Sequence, residues 1–192
     1  MSEKQRIVLA SANAHKIREI SQMLPEFNVV GYKDLGFNEE IIEDGKTFYE
    51  NALIKAKTVS LALGLPALAD DSGICVDALG GEPGIYSARY AGDGIDAHNN
   101  KLLLENMQGK TDRKAKFVCC MVFYKPNGEI LSATGETHGE IMLEEHGQNG
   151  FGYDPLFFSY DLNQCLGEAS AQDKNKISHR FRAITALKDK LK

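Results

Sequence analysis

The stretch Leu68–Gly92 reads LADDSGICVDALGGEPGIYSARYAG, and its opening constrains the chain more than any other feature. An apolar run enters two adjacent aspartates, Asp70 and Asp71, followed by Ser72 and Gly73. Neighbouring carboxylates disfavour joint ionisation unless a cation or positive side chains lie between them. A hard divalent ion with oxygen ligands, Mg²⁺ above all, is the usual remedy. The plainer alternative is a turn, with Gly73 supplying the permissive backbone. Pro66–Ala69 is expected as a short strand delivering the two carboxylates, and Ile74–Leu79 as a further strand. Gly80–Gly84 then reads as a stiff turn, with Arg89 just beyond.

The sequence before this stretch alternates strand and helix. Arg6–Ser11 reads as a buried strand running into Ser11, Ala12, Asn13, Ala14, His15 and Lys16, then a helix with Ile17, Ile20, Met23 and Leu24 on one face. Strand, small-residue turn and helix N-terminus form an anion site, because backbone N–H groups point outward there. Lys16 in a first turn opposes the helix dipole unless a phosphate lies near it. The alternative is Ser11 or Asn13 as a plain cap with Lys16 solvated. Asn28–Tyr32 is expected as a strand. Thr47 and Glu50 form a capping-box pattern opening a helix to about Leu63, buried through Phe48, Ala52, Ala56, Val59 and Leu63. Asn51 and Lys55 share another face of that helix, and Glu43 lies just before its start.

Later in the chain, Asp96 is expected to cap a helix from Ala97 to about Met107, with Leu102, Leu103 and Met107 inward. Ala115–Tyr124 reads as a strong strand, turning at Pro126–Gly128 into Glu129–Ala133, with strand pattern resuming near Thr137–Met142. Gly147–Pro155 is glycine-rich yet holds Phe151, Tyr153 and Asp154. A glycine-flanked aromatic offers a ring for stacking, and Asp154 can accept hydrogen bonds from a heterocycle; a surface loop with Phe151 tucked inward is the alternative. Lys174–Arg180 precedes or opens a last helix, whose stripe is expected at Phe181, Ile184, Lys188 and Leu191.

The fold expected is α/β: a mixed central sheet with flanking helices, one domain over residues 1–192 made of two lobes around a nucleotide cleft. A net charge of −5 argues against binding a nucleic-acid polymer. No apolar run is long enough to span a bilayer, so no membrane partner is expected. MSEKQR runs straight into IVLAS, which does not read as a secretory leader, and a cytoplasmic location is expected. Cys75, Cys119, Cys120 and Cys165 contain no CxxC spacing, so free thiols are expected rather than a zinc site or a disulfide framework.

Together these pieces form one inventory. Lys16 lies in a phosphate cradle; Glu43, Asp70 and Asp71 offer metal ligands; Lys55, Lys174 and Arg180 offer countercharge. Phe151 can stack on a base whose edge Asp154 and His179 can read. The set fits a nucleoside triphosphate.

The segments VLASANAHKIREI, EDGKTFYENALIKA, LADDSGICVDALGGEPGIYSARYAG, NGFGYDPLFF and DKNKISHR fall in order across nearly the whole chain. In them the sequence closely resembles the inosine triphosphate pyrophosphatase family, and within it the bacterial dITP/XTP pyrophosphatases. Ala12 stands where that pattern often has Gly, and Asn149 replaces the first of a frequent Gly pair, which bears on how closely backbone approaches a ligand. The resemblance implies an elongated mixed α/β fold, a homodimer, and water attack on the α-phosphorus of a non-standard purine triphosphate, releasing monophosphate and pyrophosphate. The implied role is cleansing the nucleotide pool of ITP, dITP and XTP.

By the same resemblance, Mg²⁺ is assigned to Glu43 and Asp71, with Asp70 as ligand or close support, and Asp71 orients or deprotonates the attacking water. Lys16, Lys55 and Lys174 offset phosphate charge, and Ser72 with the backbone of Ser11–Lys16 adds hydrogen bonds. Phe151 stacks on the base, within a matched FGYD segment that also brings Gly152, Tyr153 and Asp154 to the substrate. His179 and Arg180 donate to a 6-oxo group, which disfavours adenine. The rivals are a Maf-like pyrophosphatase acting on other nucleotides and a non-catalytic nucleotide sensor.

Overall fold

The computed structural model describes residues 4–188 and 190. The strands β1 (Arg6–Leu9), β2 (Asn28–Gly31), β3 (Ala67–Val76), β4 (Lys114–Tyr124), β5 (Ile130–Ile141), β6 (Phe157–Ser159) and β7 (Gln164–Cys165) form one sheet ordered β2-β1-β3-β4-β5-β6-β7. β1 is parallel to β2 and β3, and β6 is antiparallel to β5 and β7, so the sheet is mixed as expected. The α-helices are α1 (Ala14–Met23), α2 (Phe48–Leu63), α3 (Asp96–Asn106), α4 (Ala171–Ile177) and α5 (His179–Lys188). The chain forms two compact units. One holds the residues up to Asp71, Cys119–Thr134 and the chain from Ala183 on; the other holds Ser72–Val118 and Gly135–Arg182.

In the first unit, period-two alternation sorts each strand between two cores. Ile7, Leu9, Leu68, Cys119, Met121 and Phe123 pack with Ile20 and Leu24 of the α1 region and with Ala183, Ile184 and Leu187 of α5. Val8, Ala10, Ala67, Ala69, Cys120, Val122 and Tyr124 pack with Ala52, Ala56 and Val59 of α2. Fully burying one such aliphatic side chain contributes about 1.5–3 kcal/mol, so both faces of these strands drive folding. The α5 stripe therefore runs through Ala183, Ile184 and Leu187 rather than Phe181 and Lys188, while Leu191 lies outside the described residues. In the second unit the core gathers Ile74, Val76, Leu103, Met107, Phe117, Ile141, Tyr153, Leu156 and Phe157.

Several boundaries differ from the sequence expectations. β3 is one ten-residue strand rather than two, and Asp70–Gly73 lies inside it. Gly73 is there for close approach, since a Cβ would collide with Gly84 O and Ser87 Oγ. Ser87 Oγ accepts the Ile74 N–H at 2.9 Å and donates to Gly84 O at 2.6 Å, which fixes that approach. β5 is likewise continuous across the gap expected after Ala133. Ser178 ends α4 and opens α5, its Oγ accepting the Phe181 N–H at 3.1 Å. None of the four cysteines is in a disulfide among the described residues.

Candidate active site

A polar cluster lies in each unit. In the first, α2 opens at the expected cap: Thr47 Oγ1 accepts the Glu50 N–H at 3.1 Å, while Glu50 reaches one residue past Thr47, to the Lys46 N–H at 2.6 Å. The helix then presents Asn51 and Lys55 one turn apart, both buried. Lys55 Nζ lies 2.7 Å from Glu43 and 3.4 Å from Asp71. Asn51 Nδ2 donates to the other Asp71 oxygen at 3.1 Å, and its Oδ1 accepts the Gly45 N–H at 2.9 Å.

Asp70 and Asp71 do not face one another. Consecutive strand residues point to opposite faces, so Asp70 follows Leu68 toward α1 and meets Lys16 Nζ at 3.0 Å. Asp71 follows Ala69 toward α2 and meets Asn51 and Lys55. The crowding expected of an adjacent pair is thus relieved by the strand itself, with one lysine for each carboxylate. Lys16 is paired rather than solvated.

The helix α1 cradle is closed on itself. Asn13 Oδ1 accepts the N–H groups of His15 at 2.9 Å and Lys16 at 3.2 Å, and Ser11 Oγ accepts the Asn13 N–H at 3.2 Å. The cap reading of Asn13 is realised, and an anion reaching those N–H groups has to displace its side chain. Ala12, Asn13, Ala14 and His15 are exposed, which leaves the turn accessible.

Burial dominates the electrostatics. It pushes the Asp71 carboxyl above its ordinary value of 3.8, against the opposing pull of Lys55, Asn51 and Lys16. For Lys55, burial works to lower the pKa, but the charges of Asp71, Asp70 and Glu43 prevail and raise it above 10.5. The lysine charge is shared, with Glu43 the nearer partner, so Asp71 remains a comparatively basic carboxylate.

Glu43, Asp70 and Asp71 are met here by Lys16 and Lys55. Among the described residues, no group of three or more His, Cys, Asp or Glu side chains is gathered as a ready metal cage. Glu43 and Asp71 are joined through one ammonium group, and Asp70 stands on the other face of β3. Two hard carboxylates suit Mg²⁺, which takes one or two carboxylates and completes its shell with waters and substrate phosphates. Asp70 does not fit as a third direct ligand beside Asp71.

In the second unit, Lys174 Nζ lies 2.6 Å from Asp154 Oδ2 and 4.4 Å from the centroid of the Phe151 ring. The same Asp154 oxygen accepts the Phe151 N–H at 2.8 Å. Lys174 thus braces the aromatic loop, and one side of the Phe151 ring faces a cation. Gly150 is required twice: its φ is +78°, and a Cβ would strike the Asp154 carboxylate. Arg180, only 1% exposed, donates from Nη2 to Ser72 Oγ at 3.2 Å. His179 stacks on Phe117 with centroids 5.0 Å apart. Tyr153 turns into the core, where its hydroxyl donates to Ser87 O at 2.8 Å, so its ring is a structural element.

Sequence reasoning placed Asn51 on the right face of α2 without giving it a task. It assigned none to Asn100 or Gly45, and to Asp96 only a helix cap. Ile95, not Asp96, occupies the cap position of α3. The available signal for Asn100 was a polar residue at a helix position spaced to face inward.

The chain is similar to known proteins over nearly its whole length. Residues 7–190 match the model of the Ham1 family. The dITP/XTP pyrophosphatase of Haemophilus influenzae is 48% identical over 195 residues, covering 98% of this chain and 100% of that protein. The solved Ham1 protein of Staphylococcus aureus superposes with a TM-score of 0.90 at 41% identity, covering 97% of this chain and 98% of that one. A Mycobacterium abscessus structure described as a nucleoside-triphosphatase / dITP/XTP pyrophosphatase gives a TM-score of 0.80 at 40% identity, with 95% and 98% covered.

Proposed function

The chain belongs to the Ham1 family, and on that premise we propose that it hydrolyses non-standard purine nucleoside triphosphates, namely ITP, dITP and XTP, to the monophosphate and pyrophosphate. The carrying observation is the cluster in which Lys16 meets Asp70 while Lys55 joins Glu43 to Asp71. A mere binder of phosphates gains nothing from a buried, comparatively basic carboxylate beside its lysines. The names and near-half identity of full-length relatives point the same way.

Asp71 accepts the proton of the attacking water. Burial raises its pKa, and a base closer to the working pH is the stronger catalyst. The water oxygen bonds to the α-phosphorus as the bridging P–O bond to pyrophosphate breaks. Asn51 holds Asp71 in orientation. Lys16 and Lys55, released in part from their carboxylates, offset charge on the triphosphate, which is the main work of phosphoryl-transfer sites. Glu43 and Asp71 would hold Mg²⁺, which when bound supplies charge neutralisation at the phosphates. Ser72 and the Ser11–Lys16 turn add hydrogen bonds.

For the base, Phe151 offers its ring, an interaction worth about 1–3 kcal/mol in nucleic-acid sites. Gly152 and Asp154 shape that loop, Lys174 braces it, and His179 and Arg180 supply donors for a 6-oxo group. A 6-amino group in that place leaves donors facing donors. A homodimer working in the cytoplasm to cleanse the nucleotide pool completes the reading.

The test incubates purified protein and Mg²⁺ separately with ITP, XTP, GTP, ATP and dTTP, resolving pyrophosphate from orthophosphate. Pyrophosphate from ITP and XTP alone is expected. Orthophosphate would place attack at the γ-phosphorus; pyrophosphate from dTTP instead would favour the Maf-like reading; binding without turnover would favour a sensor.

A further inference from the structure

We propose that the first turns of α3, through Asp96 and Asn100, are the positioning device for the aromatic loop and thereby set how tightly the purine ring is held. The inference rests on the base-stacking role proposed for Phe151.

Both backbone polar groups of Gly152 are taken by α3. The Gly152 N–H donates to Asp96 Oδ2 at 2.8 Å, and Asn100 Nδ2 donates to the Gly152 carbonyl at 3.2 Å. Asn100 Nδ2 also donates to Glu145 Oε1 at 2.9 Å, which fixes the amide's direction. Gly152 has a φ of +62°, a conformation open to glycine and strained for other residues. On its other side, the Phe151 N–H is held by Asp154. The peptide units on both sides of the Phe151 ring are therefore anchored, one set by Asp154 and one by α3.

The choice of residues at these positions is hard to explain by folding alone. Asn100 is 4% exposed, and among the described residues its Oδ1 accepts no hydrogen bond. A buried acceptor left unmet is destabilising, and an apolar side chain of similar size avoids it. The amide is retained for its donor end, which serves Gly152 and Glu145. Asp96 makes no cap bond to its own helix, and its carboxylate is spent on the loop. α3 itself is a rigid post: Leu103 and Met107 are buried in the core, and Asn99 holds the Ala91 N–H at 2.7 Å. A site built on such an element is more accurately placed than one left to a loop.

The test uses the full-length enzyme with Asp96→Ala and Asp96→Asn. Asn retains an acceptor for the Gly152 N–H; Ala does not. Loss of binding that is equal in ground and transition states raises KM with kcat unchanged. Asp96→Ala is expected to raise KM for ITP about tenfold while kcat stays within about twofold, and Asp96→Asn to restore KM to within about twofold of wild type. Inhibition by pyrophosphate, which lacks a base, stays the same in all three. Amide hydrogen exchange of Phe151 and Gly152 accelerates in Asp96→Ala and not in Asp96→Asn. Unchanged KM, unchanged exchange, or KM and pyrophosphate inhibition shifting together would overturn the proposal. Failure of the wild type to hydrolyse ITP would overturn the functional reading instead, with the exchange measurement still deciding whether α3 holds the loop.

Discussion

Asn51 ties Asp71 to the acidic loop ahead of α2: one end of its amide donates to Asp71 at 3.1 Å and the other accepts the Gly45 N–H at 2.9 Å. Asn51 is 1% exposed, so both bonds are made by a buried amide. Asn51→Ala should therefore cost about 1–3 kcal/mol of stability, read as a lower urea midpoint, and should slow turnover of ITP. Gly45→Ala attacks the same contact from the other side, since its Cβ would lie 2.6 Å from Asn51 Oδ1 and 2.7 Å from Glu50 Cβ. Overpacking of this kind costs about 1–3 kcal/mol. A wild-type midpoint in both variants would remove Asn51 from this role.

Asp71→Asn keeps the shape of the side chain and removes the base. Turnover should fall by about 10²–10⁴, with ITP affinity changing far less. The pH dependence follows from burial. Because Asp71 binds its proton more tightly folded than unfolded, its contribution to stability is full below the ordinary value of 3.8 and is lost as pH rises through the raised folded value. At neutral pH the ionised carboxylate is thus a destabilising group, and Asp71→Asn should melt at or above the wild-type temperature while being inactive. The wild-type rate should fall on the acid side at a pH above the ordinary aspartate value of 3.8. A marked drop in melting temperature at pH 7 would contradict this account.

Lys174 and Asp154 form an enclosed ion pair in the aromatic loop, their side chains 7% and 3% exposed. Removing one partner of a buried pair leaves an uncompensated charge and costs about 3–5 kcal/mol. Lys174→Met should show that loss in chemical denaturation, together with a raised KM for ITP because the cation beside Phe151 is gone. Lys174→Met combined with Asp154→Asn should be milder than the single change, since no charge is then stranded. Additive losses in the double variant would argue against the pairing.

Burial pushes the thiols of Cys75, Cys120 and Cys165 above their ordinary value of 9.0. Only the thiolate is nucleophilic, so iodoacetamide should modify the native protein at pH 7 more slowly than a free cysteine. Unfolding in urea should make all four residues reactive. Rapid alkylation of the native protein at one of these three sites would show a thiolate that this environment does not explain.

The helices were largely legible because their signals are local. Thr47 with Glu50, the stripe Ala52, Ala56 and Val59, and Pro25 after Leu24 all act within one or two turns, where spacing alone decides which side chains meet. The residues that cluster in the structure could be singled out too, since closely spaced carboxylates, lysines and a glycine-flanked aromatic are unusual together. The strand through Asp70–Gly73 was not. Asp, Ser and Gly favour turns locally, and what overrides that preference is pairing with strands distant in sequence, along with the approach of Ser87 to Gly73.

The sequence by itself determined the α/β class, the main helices and the inventory of charged and aromatic groups, because periodicity and residue type are properties of short segments. Tertiary structure alone decided which groups became partners. By drawing Asp70 and Asp71 into one extended strand it sent them to opposite faces, one to Lys16 and one to Asn51 and Lys55. It gave Lys174 to the loop of Phe151 and Gly152 to the start of α3. Pairings of this kind join residues far apart in the chain, and their free energy depends on burial that only the assembled fold creates.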